Sequence, residues 1–137
     1  MQDHRIAEAR FAAIERTTNQ ETKLREDLFR ELRAGLEAHE IVEEEVLYPE
    51  IDQLTSIKSV IENAFDAHAE FDALLQEIAQ LSASDPEWLY RIRELREMVQ
   101  EHMQAEEQTM FPAARAKLGQ TRAEELGQKS ITKEIYR

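Results

Sequence analysis

Hydrophobic residues recur every three or four positions along most of the chain, which is the spacing of one face of an α-helix. This period predicts four helices: from the N-terminus to about residue 17, over roughly 20 to 53, from Ile57 to Ile78, and from Pro86 to about Leu118. Helices of this length joined by short turns pack most simply as an up-down-up-down antiparallel bundle. We therefore predict an all-α fold.

Local signals place the ends and interruptions of these helices. Asp85 followed by Pro86 is typical of an N-cap and a first-turn proline, and Gly119 is a helix stop. Pro49 and Pro112 lie inside helical patterns and predict breaks or kinks there. The pattern weakens after the fourth helix, so we divide the chain into a bundle, residues 1–119, and a short C-terminal helical tail, residues 120–137.

Composition supports helices and narrows the function. The 137 residues fit one domain, and 3 Gly and 3 Pro are too few for a turn-rich β fold. Acidic residues outnumber basic ones by 29 to 17, for a net charge of −12, which argues against nucleic-acid binding. No apolar run approaches the length of a membrane span and the N-terminus has no signal-peptide core, so we expect a cytoplasmic protein. There is no Cys, so any metal must be held by His and carboxylate ligands.

The candidate chemistry is a set of polar residues on stripes that are otherwise apolar. Each helix carries one of the four His residues, and two of these are followed one turn later by Glu. This six-residue set comprises His4, His39, Glu43, His68, His102 and Glu106. Any one of these residues or pairs, considered alone, has a simpler explanation. A lone core His is usually hydrogen-bonded, and an i,i+4 pair can stabilise an exposed helix.

The positions along the helices favour a shared site. In an antiparallel hairpin, two residues lie side by side when they are equally far from the turn. The midpoint between the first two His residues lies near the first predicted turn, and the next two midpoints fall at Thr55-Ser56 and at Asp85-Pro86. All six side chains are therefore expected in one layer.

Burying such a layer without a partner would cost many kcal/mol, and bound cations remove that cost. Six imidazole and carboxylate ligands are too many for one metal with an open position, so two metals bridged by the carboxylates fit better. This donor set suits iron, manganese or zinc. The Glu-x-x-His pattern of ferritin-like bundles is absent at every His, and the zincin HExxH pattern is absent at His39.

Two stretches are similar to those of a known family. His39 to Pro49, with the sequence HEIVEEEVLYP, resembles the second-helix motif of the hemerythrin-like HHE cation-binding domain family. His102 to Glu107, followed by Met110-Phe111-Pro112, resembles its fourth-helix motif. The resemblance covers nearly the whole bundle. It implies that the four His residues are terminal iron ligands and that Glu43 and Glu106 bridge two irons, together with an oxo or hydroxo group.

One position departs from the oxygen-carrying hemerythrins, which have a second His on the third helix where this chain has Asp72. Asp72 could ligate, hydrogen-bond or face away. Four His residues leave at least one more position for water or substrate. Glu40 and Tyr48 are candidates for a replacement ligand or a hydrogen-bonding partner, or alternatively a solvated residue and a core tyrosine. We expect a further three glutamates to be solvated, namely Glu44, Glu45 and Glu107.

The leading hypothesis is a non-haem di-iron protein that binds or reacts with dioxygen, peroxide or nitric oxide in sensing, scavenging or protection. One alternative is a di-iron oxidase or a peroxidase- or catalase-like enzyme. Another is an interaction module whose bundle is ordered by metal. The acidic surface and the tail permit a homodimer or a protein partner.

Overall fold

A computed structural model describes residues 2–51 and 58–118. The predicted tail, residues 120–137, and the predicted turn at Thr55-Ser56 lie outside the described residues. Within them the chain is helical and contains no β-strand. The helices are α1 Gln2–Glu15, α2 Thr22–Val42, α3 Tyr48–Ile51, α4 Lys58–Ala79, α5 Pro86–Ala105 and α6 Phe111–Leu118, with π-helical turns π1 Glu43–Leu47 and π2 Glu106–Met110.

These segments form four long helical units, which confirms the predicted all-α bundle. The units are α1, then α2 with π1 and α3, then α4, and finally α5 with π2 and α6. Helix α1 packs against α2 and α5, and α4 packs against α5. Asp85 caps α5 as expected, because its Oδ1 accepts a hydrogen bond from the backbone N–H of Glu87 at 2.9 Å. No described helix combines the length and the apolar character needed to cross a membrane.

The core consists of two apolar clusters. The larger one fills the half of the bundle that holds the α1–α2 and α4–α5 turns, with Phe11, Leu75 and Ile92 fully buried. The smaller one lies at the other end, around Tyr48 and Met110. Each fully buried large apolar side chain contributes roughly 1.5 to 3 kcal/mol to folding. The six-residue set lies between the two clusters along the helices, so apolar side chains flank it on both sides.

A buried arginine ties the two turns of the larger half together. Arg25 on α2 donates from Nε to Thr17 Oγ1 at 2.8 Å and from Nη1 to the carbonyl of Ala83 at 2.7 Å. Its guanidinium also lies 5.2 Å from the centre of the Trp88 ring. These contacts fix the relative heights of the helices, and hence the level at which the polar layer forms.

The predicted breaks at Pro49 and Pro112 are π-helical turns followed by further helix. The N–H of Tyr48 bonds to the carbonyl of Glu43, and the N–H of Phe111 bonds to that of Glu106, each five residues back. A proline inside an α-helix lacks a donor and clashes with the carbonyl four residues earlier. The extra residue in each π turn accommodates that clash, and both turns begin at a glutamate of the six-residue set.

Candidate metal centre

The structure brings all six predicted residues together. Their exposed fractions lie between 1% and 9%. They form two groups of four, and within each group one potential ligand atom per residue lies within 4.8 Å of the others. Subsite 1 contains His4 and His39, subsite 2 contains His68 and His102, and both include Glu43 and Glu106.

Glu43 faces both subsites with different oxygens. Its Oε2 lies 3.0 Å from His39 Nε2 in subsite 1, and its Oε1 lies 3.0 Å from His68 Nε2 in subsite 2. The carboxylate therefore spans the two groups. One oxygen per ion is the arrangement that a bridging carboxylate requires.

Glu106 is placed in the same way. Its Oε2 lies 3.8 Å from His4 Nε2 in subsite 1, and its Oε1 closely contacts His102 Nε2 in subsite 2. Both oxygens are buried, and neither accepts a hydrogen bond of good geometry from a described residue. A buried carboxylate without such bonds is costly unless a cation or a proton satisfies it.

Two of the distances between donor atoms agree with a shared ion, whereas the 3.8 Å between His4 Nε2 and Glu106 Oε2 is longer. Two ligands about 2.1 Å from one metal, at angles between octahedral and tetrahedral, are about 3.0 to 3.4 Å apart. His68 Nε2 and His102 Nε2 are 3.1 Å apart, and His39 Nε2 and Glu43 Oε2 are 3.0 Å apart. With two imidazoles and two carboxylates per subsite and no thiolate, the residues fit a metal site.

The two carboxylates shift each other's proton affinity. Burial favours the protonated form of Glu43, but the facing imidazole of His39 holds its pKa well below the usual range. Burial raises the pKa of Glu106 well above the usual range, and the negative charge of Glu43 adds to this. Burial disfavours the charged form of His102, yet its interactions with Glu106 and Glu43 raise its pKa to about 9. Without a cation, protons must balance the layer.

Two further glutamates orient the imidazoles. Glu44 Oε2 lies 2.6 Å from His68 Nδ1, and Glu107 Oε1 lies 2.9 Å from His4 Nδ1. An ionised carboxylate only accepts, so Nδ1 carries the proton and the Nε2 lone pair points to the centre. Glu107 is exposed, as predicted, whereas Glu44 is half-buried, and both also bond an imidazole because each follows a glutamate of the layer by one residue and turns toward a neighbouring helix. Glu45 is exposed, as predicted.

Tyr48 has both of the roles that the sequence left open. Its hydroxyl donates to Glu43 Oε1 at 3.1 Å, and its ring stacks on His68 with centroids 6.0 Å apart. The side chain is 1% exposed. Burial and the charge of Glu43 raise the pKa of Tyr48, which keeps the phenol protonated as a donor. It is a core residue that also hydrogen-bonds a carboxylate of the layer.

Glu40 and Asp72 pair with each other, and neither is a member of the two described groups. Glu40 is buried on α2. Burial is the main reason that its pKa is raised to about 9, and its hydrogen bond to Asp72 adds to the effect. Asp72 lies on an exposed position of α4. Of the three roles open to Asp72, the structure therefore favours the hydrogen bond over ligation.

Comparison with known proteins agrees with this geometry. A protein of Nostoc sp. (strain PCC 7120) described as a DNA nickase is 32% identical over 123 residues, which are 90% of this chain. The match covers 34% of that relative, so the chain spans about a third of its length. No solved structure is significantly similar to the chain. The sequence pattern described as Hemerythrin HHE cation binding domain matches residues 1–114, the region that carries all six residues of the layer, and the chain therefore belongs to that family.

Proposed function

We propose that this chain is a non-haem di-iron protein that binds or reacts with dioxygen or a related small oxidant, such as peroxide or nitric oxide. Its role would be sensing, scavenging or protection. One observation carries the proposal: two four-residue groups share both of their carboxylates while each holds only two imidazoles.

The number of donors supports reactivity. Each subsite offers four protein ligand atoms, fewer than an octahedral ion accepts. Positions would then remain for water or an added ligand at both subsites, and open positions are what metal-based reaction with a small molecule needs. A fully ligated site would instead favour a structural role.

The surrounding residues suit a site that excludes bulk water. Iron, when bound, would supply the redox chemistry, and the protein supplies geometry and a dry environment. Tyr48 keeps a proton on its hydroxyl beside Glu43, while Glu44 and Glu107 hold two imidazoles in the tautomer that presents Nε2 inward. The flanking apolar clusters limit solvent access. We propose iron because of the redox role, although the same donors accept manganese and zinc.

A second candidate is a di-iron oxidase or a peroxidase-type enzyme. A groove of about 320 Å³ reaches His102 and Glu106, and this volume is larger than a diatomic molecule requires. Sustained turnover of peroxide by the iron-loaded protein, lost in Glu43→Ala, would favour the enzyme. A single stoichiometric reaction would favour a carrier or sensor.

The activity named for the Nostoc relative is not part of this proposal. Two-thirds of that protein lie outside the match, and this chain has a net charge of −12. Such a charge opposes the phosphate contacts that nicking DNA requires.

Metal analysis of protein purified from its host, with an optical spectrum in air, tests the proposal. We expect two irons per chain and a near-ultraviolet charge-transfer band. Glu43→Ala should lose both, whereas Glu45→Ala, which changes an exposed neighbour, should keep both. A colourless protein loaded with zinc would contradict the proposal.

A further inference from the structure

We propose that the groove between α4 and α5 is the route by which uncharged, weakly polar molecules reach subsite 2. The inference rests on the proposed function, because it names the class of molecule that the site admits and the side from which it enters. The groove has a volume of about 320 Å³, and its wall includes the apolar residues Val60, Ala67, Phe71, Met98, Ala105 and Met110.

The groove ends at the buried layer. His102 and Glu106 line it, although they are only 9% and 1% exposed. Glu106 has two buried oxygens that accept no well-oriented hydrogen bond from the described residues. A molecule in the groove would therefore meet a bridging carboxylate and one imidazole of subsite 2.

The other grooves around the layer differ in chemistry. The α1–α5 groove, about 580 Å³, reaches subsite 1 at His4, and its wall includes Arg5, Glu8 and Glu107. The α2–α4 groove, about 370 Å³, is lined mainly by polar and charged side chains and contains no member of the six-residue set. Of these three grooves, the α4–α5 groove alone combines a mostly apolar wall with access to the layer.

Charge decides which molecules this groove admits. Glu70 and Glu101 are exposed residues of its wall, and Asn63 and Thr109 are its neutral polar members. With a net charge of −12 on the chain, the carboxylates repel anions, whereas the apolar wall favours neutral molecules over water. Dioxygen and nitric oxide meet this description, and azide does not.

The methionines provide a test that needs no redox reaction. Met98 and Met110 line the α4–α5 groove, whereas Met103 lines the α1–α5 groove. We would record methyl spectra of the zinc-loaded protein, labelled with ¹³C at the methionine methyls, under xenon, a neutral apolar probe. The proposal predicts that the resonances of Met98 and Met110 shift and that of Met103 stays. Shifts largest at Met103, or no shift at any of the three, would overturn it.

Two adjacent substitutions test the route kinetically. Ala105 lies in the wall of the α4–α5 groove and Gln104 in that of the α1–α5 groove, and both positions are exposed, so Phe can be introduced without overpacking the core. Ala105→Phe should slow the association of nitric oxide with the reduced, iron-loaded protein by about tenfold or more, because it narrows the path. Gln104→Phe should leave the rate unchanged.

Different results would contradict the route through the α4–α5 groove and the proposed function. Equal rates in both variants, or slowing in Gln104→Phe alone, would refute the route while leaving the proposed function intact. If wild-type iron-loaded protein did not react with nitric oxide, while xenon still shifted Met98 and Met110, the proposed function would fail and the groove assignment would stand.

Discussion

At the scale of single residues, the site depends on two glutamates that each face both halves of the layer. Glu43 has one oxygen 3.0 Å from His39 and the other 3.0 Å from His68. Glu106 divides its oxygens in the same way between His4 and His102. The division is the one that the proposed pair of cations, held by shared ligands, would require.

The first prediction concerns a glutamate that hydrogen-bonds the Nδ1 atom of an imidazole of the layer. Glu44→Ala removes the acceptor of His68 Nδ1–H, so the imidazole loses its fixed tautomer and orientation. Partners of this kind typically change metal affinity by about 10- to 100-fold. We expect a loss of that size in a competition titration against a chromogenic chelator. Glu45→Ala is the matched control, since it makes the same change at the next, exposed position. Equal affinities in the two variants would contradict the assigned role.

Glu44 and Glu107 also mark what the sequence could not predict at this scale. The six residues of the layer were identified because they interrupt apolar stripes and lie at one height. The two outer glutamates lie among other acidic residues, and their partners are 24 and 103 positions away along the chain. Only the packing of neighbouring helices shows that they contact an imidazole.

At the scale of helices, the two π turns place the two glutamates of the layer. Each turn begins at a glutamate of the layer and ends just before Tyr48-Pro49 or Phe111-Pro112. Proline in the sequence predicts an interruption but does not say whether the helix ends, kinks or gains a residue. The π turn lets the helix continue beyond the layer. Tyr48 lies in this continuation, and its hydroxyl donates a hydrogen bond to Glu43.

Helix α1 carries His4 and is held to α5 by an ion-pair cluster. Arg96 donates to Glu8 Oε1 at 2.6 Å and also contacts Glu15. Burial opposes ionisation of Glu15, but its hydrogen bonds to Arg96 and Arg93 lower its pKa. The cluster therefore stabilises the position of the helix that supplies one imidazole to subsite 1.

The second prediction concerns this cluster. Arg96→Met should lower the free energy of unfolding by about 1 kcal/mol at pH 7, because several charges are lost from one network. Since the folded-state pKa of Glu15 is lowered, its contribution is present above the unfolded value of about 4.5 and disappears as pH falls through the folded value. Urea unfolding at pH 7 measures the loss of unfolding free energy in Arg96→Met. The same measurement at pH 3 should give a smaller difference from the wild type.

Arg91→Met provides the control, because Arg91 pairs with Glu87 and Glu94 on α5 itself and with Glu77 on α4. We expect Arg96→Met, and not Arg91→Met, to weaken binding at subsite 1. A metal titration with equal affinities for the two variants would show that the cluster does not position His4.

At the scale of the whole molecule, the bundle divides into a half that is stabilised by apolar packing and a layer that, on the proposed function, is stabilised by cations. The larger cluster and the contacts of Arg25 hold the turn end together without any metal. The layer brings two carboxylates together in a buried environment, which costs stability until cations neutralise them. Metal binding should therefore order one end of the bundle more than the other.

The third prediction concerns this division between the apolar half and the layer, and hydrogen exchange tests it. Removal of metal should lower protection over residues 2–8, the part of α1 nearest the layer, and over both π turns, whereas the middle of α5, around Leu95, should keep its protection because it is fully buried in the larger cluster. Protection should return when zinc is added. Equal protection of residues 2–8 with and without metal would argue against ordering of this part of α1 by metal and against the interaction-module alternative.

The fold was largely predictable at this scale because a bundle repeats one signal, the three-to-four-residue period, over long segments. Where a helix end lies within the described residues it falls within a few residues of the predicted one: α1 ends at Glu15 rather than near residue 17, α2 begins at Thr22, and α4 ends at Ala79. The grooves around the layer were not predictable. They depend on which side chains face each other across α4 and α5, and a single sequence does not specify these pairs.

Anomalous diffraction from crystals of the iron-loaded protein would locate each ion in the layer without reference to activity. We expect two peaks inside the bundle, about 3.5 to 4 Å apart, one between His4 and His39 and the other between His68 and His102. Both should lie within bonding distance of Glu43 and Glu106. A single peak, or peaks only at surface carboxylates with none in the layer, would contradict the proposed pair of cations.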